Sequence, residues 1–198
     1  MIKTAMRAYI GIDPGLKGGI GIIVPEQPGT QRQVSAWRMP VNDDGIDGAR
    51  LAALLLGLVD TYRLSMVTVE RVGAMPGQGV VSMFTFGVGF GLIKGVLQAT
   101  GIKYALVVPV VWKRRLDLLG KDKTASVALV QQIYPEVSLT PAGCRVPSDG
   151  LADAVSIAHW RFLQEEHPLP PKPKPVRRRV ARSVSPETQG TEHAEPHG

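Results

Sequence analysis

Apolar and polar positions lay out nine elements over the first 166 residues. Residues 9–13 (YIGID) form a short β-rich run closed by Pro14-Gly15, a pair suited to the centre of a type II turn. Residues 19–24 (GIGIIV) and 34–39 (VSAWRM) continue as strands, with a PEQPGTQ turn between them. Asp47 then precedes a run in which Leu51, Leu54, Leu55 and Leu58 recur at helical spacing, so residues 48–63 are predicted as a helix. Residues 66–70 (MVTVE) alternate as a buried strand and lead into a glycine-rich loop, RVGAMPGQG. Residues 80–99 are apolar nearly all round, which in a helix requires cover on most faces. A strand over 104–109, a basic stretch, a helix over 124–134 and a last helix from about 149 to 166 complete a β-β-β-α-β-α-β-α-α order. That order defines a mixed α/β domain.

Composition narrows the class. A chain of 198 residues with 44% hydrophobic and 20% charged residues carries one sizeable core. The expected division is a domain over 1–167 and a tail over 168–198 that opens with five prolines in eight residues and holds six Lys/Arg against three Glu. Such a tail is expected to be polyproline-like and largely disordered. The net charge of +6 suits a polyanionic partner such as nucleic acid, although the same charge serves solubility. A single cysteine, Cys144, excludes an internal disulfide framework and fits a reducing compartment. The N-terminus runs into strand-like sequence without a cleavage site, and Lys94 and Gln98 interrupt the apolar 80–99 stretch. The expectation is a cytoplasmic protein that engages no membrane.

Four acids stand out. Asp13 and Glu70 end predicted strands; alternation puts Asp13 on the face of Gly11 and Glu70 on the face of Thr68. If the two strands are neighbours, both carboxylates emerge at one sheet edge. Taken singly, Asp13 reads first as a turn residue before Pro14-Gly15 and Glu70 as a surface acid paired with Arg71, because turns and strand ends attract such residues. Asp149 and Asp153 are four apart, on one helical face. Asp149 also reads as an N-cap, whereas Asp153 adjoins an apolar run and as a buried acid needs a partner or a metal. Four converging carboxylates repel one another unless cations bind. Two Mg²⁺ ions about 3.5–4 Å apart would relieve that repulsion and suit phosphodiester hydrolysis.

The segments YIGIDPGLKGGIGII, VTVE, PVVWKRRLDLLGKDKTASV and DGLADAVSIAHW, in this order, resemble the RuvC family of Holliday-junction resolvases. The glycine-rich loop is most similar to members associated with bacteriophages and prophages. The resemblance spans roughly residues 9–163. It implies an RNase H-like α/β fold with a mixed five-stranded sheet flanked by helices, and a dimeric, Mg²⁺-dependent endonuclease acting on branched DNA, with Mn²⁺ as a possible substitute. Carried over by position, Asp13 bridges both ions, Glu70 ligates one and Asp153 is the ligand on the last helix. The family pattern places its final two acids three apart; here Gly150 holds that place and Asp149 stands in. Lys113 and Lys123 resemble two family lysines near the cleaved phosphate, Lys123 with a catalytic role. Arg114, Arg115 and Lys121 extend a DNA-binding rim, though ordinary solvated charge accounts for the same residues. Met75 and Phe84 fall where the family inserts a wedge into the junction, while Phe84 and Phe86 also read as core at helical spacing. The Val80–Ala99 helix would pair two subunits.

FGVGFGLIKG does not fit G-x-G-x-x-G, so a dinucleotide loop is set aside. His159 lies around the helix from the acids and reads as structural; His193 and His197 lie in the tail. The competing readings are an RNase H-like nuclease on RNA/DNA hybrids or flaps, and a junction-binding protein with a degraded site. An actin-like or sugar-kinase-like ATPase needs a second domain that 198 residues do not hold.

Overall fold

Residues 6–73, 77 and 79–170 are described by the computed structural model. β1 (Arg7–Asp13) turns back into the fully buried β2 (Gly19–Val24), followed by β3 (Gln33–Arg38) at the sheet edge. A small hairpin, β4 (Val41–Asn42) and β5 (Gly45–Ile46), precedes α1 (Gly48–Thr61), capped by Asp47 accepting from the Arg50 N–H at 3.0 Å. β6 (Arg63–Glu70), α2 (Val80–Ala99), β7 (Tyr104–Val107), α3 (Pro109–Arg115), α4 (Thr124–Ile133) and α5 (Asp149–Glu166) follow. The sheet runs β3-β2-β1-β6-β7, antiparallel across the first two pairings and parallel across the last two. Two compact units divide the chain, Met1–Pro168 and Leu169–Gly198, and the second lies outside the described residues from 171 onward.

One face of the sheet packs Ile10, Ile12, Ile20, Ile22, Val67 and Val69 against Leu51 and Leu55 of α1 and Ile93 and Leu97 of α2. The other face carries α5, with α4 packed on one flank and α3 on the other. Contact there is unusually close: a Cβ on Gly11 would lie 2.3 Å from the Ala154 carbonyl, and one on Gly21 would lie 2.6 Å from the Val155 nitrogen. The glycines of the first two strands are therefore a seat for α5.

Several sequence expectations differ from this arrangement. The turn after β1 is not a type II turn on Pro14-Gly15. Gly15 does not adopt the positive φ that such a turn requires, and the hydrogen-bonded turn runs from the Gly15 carbonyl to the Gly18 N–H at 2.8 Å. The Asp13 carboxylate accepts from the Gly15 N–H at 3.2 Å, and the bend lies two residues further on. The basic stretch after β7 contains α3, a seven-residue helix opened by Pro109, too short to show a period. α2 is the largest departure: only Gly89, Ile93 and Leu97 are buried. Phe84 is 73% exposed and is not a core residue, and Phe86 is only half-buried. The contacts of α1 and β5 cover the C-terminal part of α2 and leave its N-terminal half bare. α2 is long and apolar enough to cross a membrane by length and composition.

Candidate active site

β1 and β6 run parallel with Ile12 opposite Val69, so Asp13 and Glu70 follow side by side at the carboxyl end of the sheet. Both lie on the face of Gly11 and Thr68, the face that α5 covers. The last helix brings the other acids to this edge. Its N-cap is Ser148, whose hydroxyl accepts from the Leu151 N–H at 3.4 Å, so Asp149 is the first helical residue and not the cap. Gly150 explains the spacing that departs from the RuvC pattern: a Cβ at 150 would lie 2.2 Å from the Lys17 carbonyl and 2.7 Å from the Gly18 Cα. No acid fits at that position, because the first turn of α5 presses against the β1–β2 turn.

Asp13, Asp149 and Asp153 line one polar pocket of about 300 Å³ with Lys17, Lys113, Lys121, Lys123 and Ser126. Glu70 does not line it, but its charge acts on Asp13 and the charge of Asp153 acts on it. Burial pushes the Asp13 carboxyl up to about 7, helped by the charges of Glu70, Asp153 and Asp149 and opposed by the Gly15 N–H. Burial also raises Glu70 above its ordinary value, with Asp153 adding to the effect and the Trp112 indole and Lys113 opposing it. Asp153 is raised for the same first reason, against Ser126, Lys113 and Lys123. The Lys123 ammonium lies 3.8 Å from Asp149 Oδ2, the lysine being largely and the acid half exposed, so this contact is worth little by itself. Three acids that disfavour one another's charge, with oxygen donors on a polar pocket, match the chemistry of a hard divalent cation. The donors are not closed on a point: among the described residues, no three His, Cys, Asp or Glu side chains are grouped to hold one ion as they stand.

The remaining sequence candidates divide. Lys121 lines the pocket but is paired with Asp117 at 2.8 Å. Arg114 is exposed and does not line the pocket. Arg115 turns away, donating to the His167 carbonyl at the far end of α5 at 3.2 Å. Met75 lies outside the described residues. His159 is structural: its Nδ1 shares a 2.7 Å hydrogen bond with the Tyr134 hydroxyl, its ring stacks on Phe162, and burial pulls its pKa down to about 4. Sequence reasoning missed Lys17, Ser126 and Trp112. Lys17 was available as the charged residue in the turn after Asp13. Trp112 carried one signal, four-residue spacing to Leu116 within the basic stretch, and both prove buried.

A mixed sheet in the order β3-β2-β1-β6-β7, backed by helices on both faces, defines the RNase H-like α/β fold, and specifically the form seen in RuvC. A Thermus thermophilus RuvC structure superposes with a TM-score of 0.53 at 19% identity, over 80% of this chain and 95% of that one. T. thermophilus RuvC in complex with a Holliday junction substrate superposes with a TM-score of 0.57 at 20% identity, over 81% of this chain and 94% of that one. No protein-family model and no curated protein matches the chain.

Proposed function

We propose that this protein is a divalent-metal-dependent endonuclease that resolves four-way DNA junctions. The observation that carries the reading is that Asp13, Asp149 and Asp153 share one pocket ringed by lysines at the carboxyl end of a RuvC-like sheet, with Glu70 on the strand beside Asp13. Asp13, Glu70, Asp149 and Asp153 would hold two Mg²⁺ ions, with Mn²⁺ a substitute. When bound, such ions would supply activation of the attacking water and stabilisation of the leaving oxygen.

The chain's own residues do the rest. Lys17, Lys113 and Lys123 bring positive charge to the pocket and hold a backbone phosphate against it. Lys123 is the catalytic candidate because it lies nearest the outermost acid. With its carboxyl raised to about 7, Asp13 exchanges a proton for a cation near neutrality, so cation uptake strengthens as pH rises through that value. A four-way junction presents two strands for cutting and calls for two active sites. A second copy docked on the bare apolar face of α2 supplies the second site.

The test is cleavage of a synthetic four-way junction in Mg²⁺, with a flap and an RNA/DNA hybrid at the same salt. Wild type is expected to cut the junction in preference, and Asp13→Asn to lose at least about 100-fold in rate. Equal cutting by Asp13→Asn removes the proposed site. Preference for the flap or hybrid reassigns the substrate, and tight junction binding without product in Mg²⁺ identifies a degraded, binding-only protein.

A further inference from the structure

Glu70 has a fixed neighbour that the charge pattern does not reveal. Trp112 is fully buried in α3, packed with Val107, Leu116, Leu118, Ile157 and Trp160. Its indole N–H donates to Glu70 Oε1 at 2.9 Å. An indole N–H is a donor only, so it cannot reverse the bond, and a ring held on all sides cannot swing away. One carboxylate oxygen is therefore committed and the other is left for an incoming group. The frame is short and stiff: β7 ends at Val107 opposite Glu70, and Pro109 starts α3 two residues later. The next residue, Lys113, has its ammonium 5.1 Å from the Trp112 ring and lines the acidic pocket. Consecutive residues of one helix thus present a neutral donor to the inner acid and a cation to the pocket.

We propose that Trp112 is a positioning residue, whose indole N–H sets the Glu70 carboxylate in the orientation that receives a divalent cation. This rests on reading the site as metal-dependent. Ligating groups are commonly oriented by such outer hydrogen bonds, and losing one weakens metal affinity about 10–100-fold.

The experiment is Mn²⁺ binding to the full chain, followed by electron paramagnetic resonance without DNA. Trp112→Phe is expected to weaken Mn²⁺ binding about 10–100-fold. Replacing Trp112 by 3-benzothienylalanine, which keeps the ring shape and lacks the N–H, is expected to weaken it alike and covers the case in which phenylalanine disturbs the fold. In a Glu70→Ala background, Trp112→Phe should have no further effect on Mn²⁺ affinity, because the group it acts through is gone; a merely structural role would persist there. Unchanged binding in the benzothienylalanine protein, or equal weakening by Trp112→Phe with and without Glu70, overturns the proposal. Wild type that takes up no Mn²⁺ overturns the metal reading with it, whereas wild-type binding lost in Asp13→Asn but kept in both Trp112 variants overturns this inference alone.

Discussion

Burial that holds the Asp13 carboxyl near pH 7 bears on stability as well as on the proposed chemistry. The folded-state pKa of Asp13 lies above its ordinary value of 3.8, so its contribution to stability is fully present below pH 3.8 and is lost as pH rises through about 7. Without metal, the ionised side chain then sits buried among three other acids. Asp13→Asn removes that charge, and should raise the thermal midpoint of metal-free protein by roughly 2–8 °C at pH 8 while changing it little at pH 4. Thermal scans at the two pH values check this; an equal gain at both would mean the effect is not electrostatic. Residue types and strand alternation made Asp13, Glu70 and Asp153 legible as candidates. The role of Asp149 was not legible, because the cap belongs to Ser148 and capping depends on which backbone enters the helix first. Trp112 escaped for a related reason: an indole in a short basic stretch looks like packing until its partner across the chain is known.

At the scale of elements, the meeting of α5 with the β1–β2 turn sets where the helix acids stand. Gly150 makes it possible, and two effects of opposite sign meet there. Alanine is the better helix former by about 1 kcal/mol, yet its Cβ would lie 2.2 Å from the Lys17 main-chain carbonyl, which cannot rotate away as a side chain would. The clash wins: Gly150→Ala should destabilise the protein by about 1–3 kcal/mol in urea denaturation and displace Asp149 and Asp153 from the pocket. Stabilisation instead would mean that α5 does not press on the turn. A long periodic element such as α1 was readable because it covers several turns with one apolar face. α3 and the β4–β5 hairpin were not, since two to seven residues cannot display a period. The Pro14-Gly15 turn was misread because the Asp13 side chain takes the Gly15 N–H and moves the bend.

Among the described residues, α2 leaves an apolar surface uncovered. Val80, Val81, Phe84 and Val88 project from α2 beside an apolar hollow of about 430 Å³ formed with Val72, Met83, Phe86 and Phe90. An apolar face of this kind marks an interaction site. With a second copy as its cover, sedimentation or light scattering should give a dimer for wild type, and Phe84→Asp with Val81→Asp should give a folded monomer whose thermal midpoint is lower and no longer rises with protein concentration. A monomeric wild type would refute the pairing. The sequence by itself determined the kinds and order of the longer elements, the acids and lysines available and the excess of apolar surface on residues 80–99, because each is a property of neighbours along the chain. Tertiary structure alone decided that Glu70 stands beside Asp13, that Gly150 forces the acid to 149, that Arg115 turns from the pocket and that Phe84 faces outward. Each of these depends on which backbones approach one another across the sheet, and no local period carries that information.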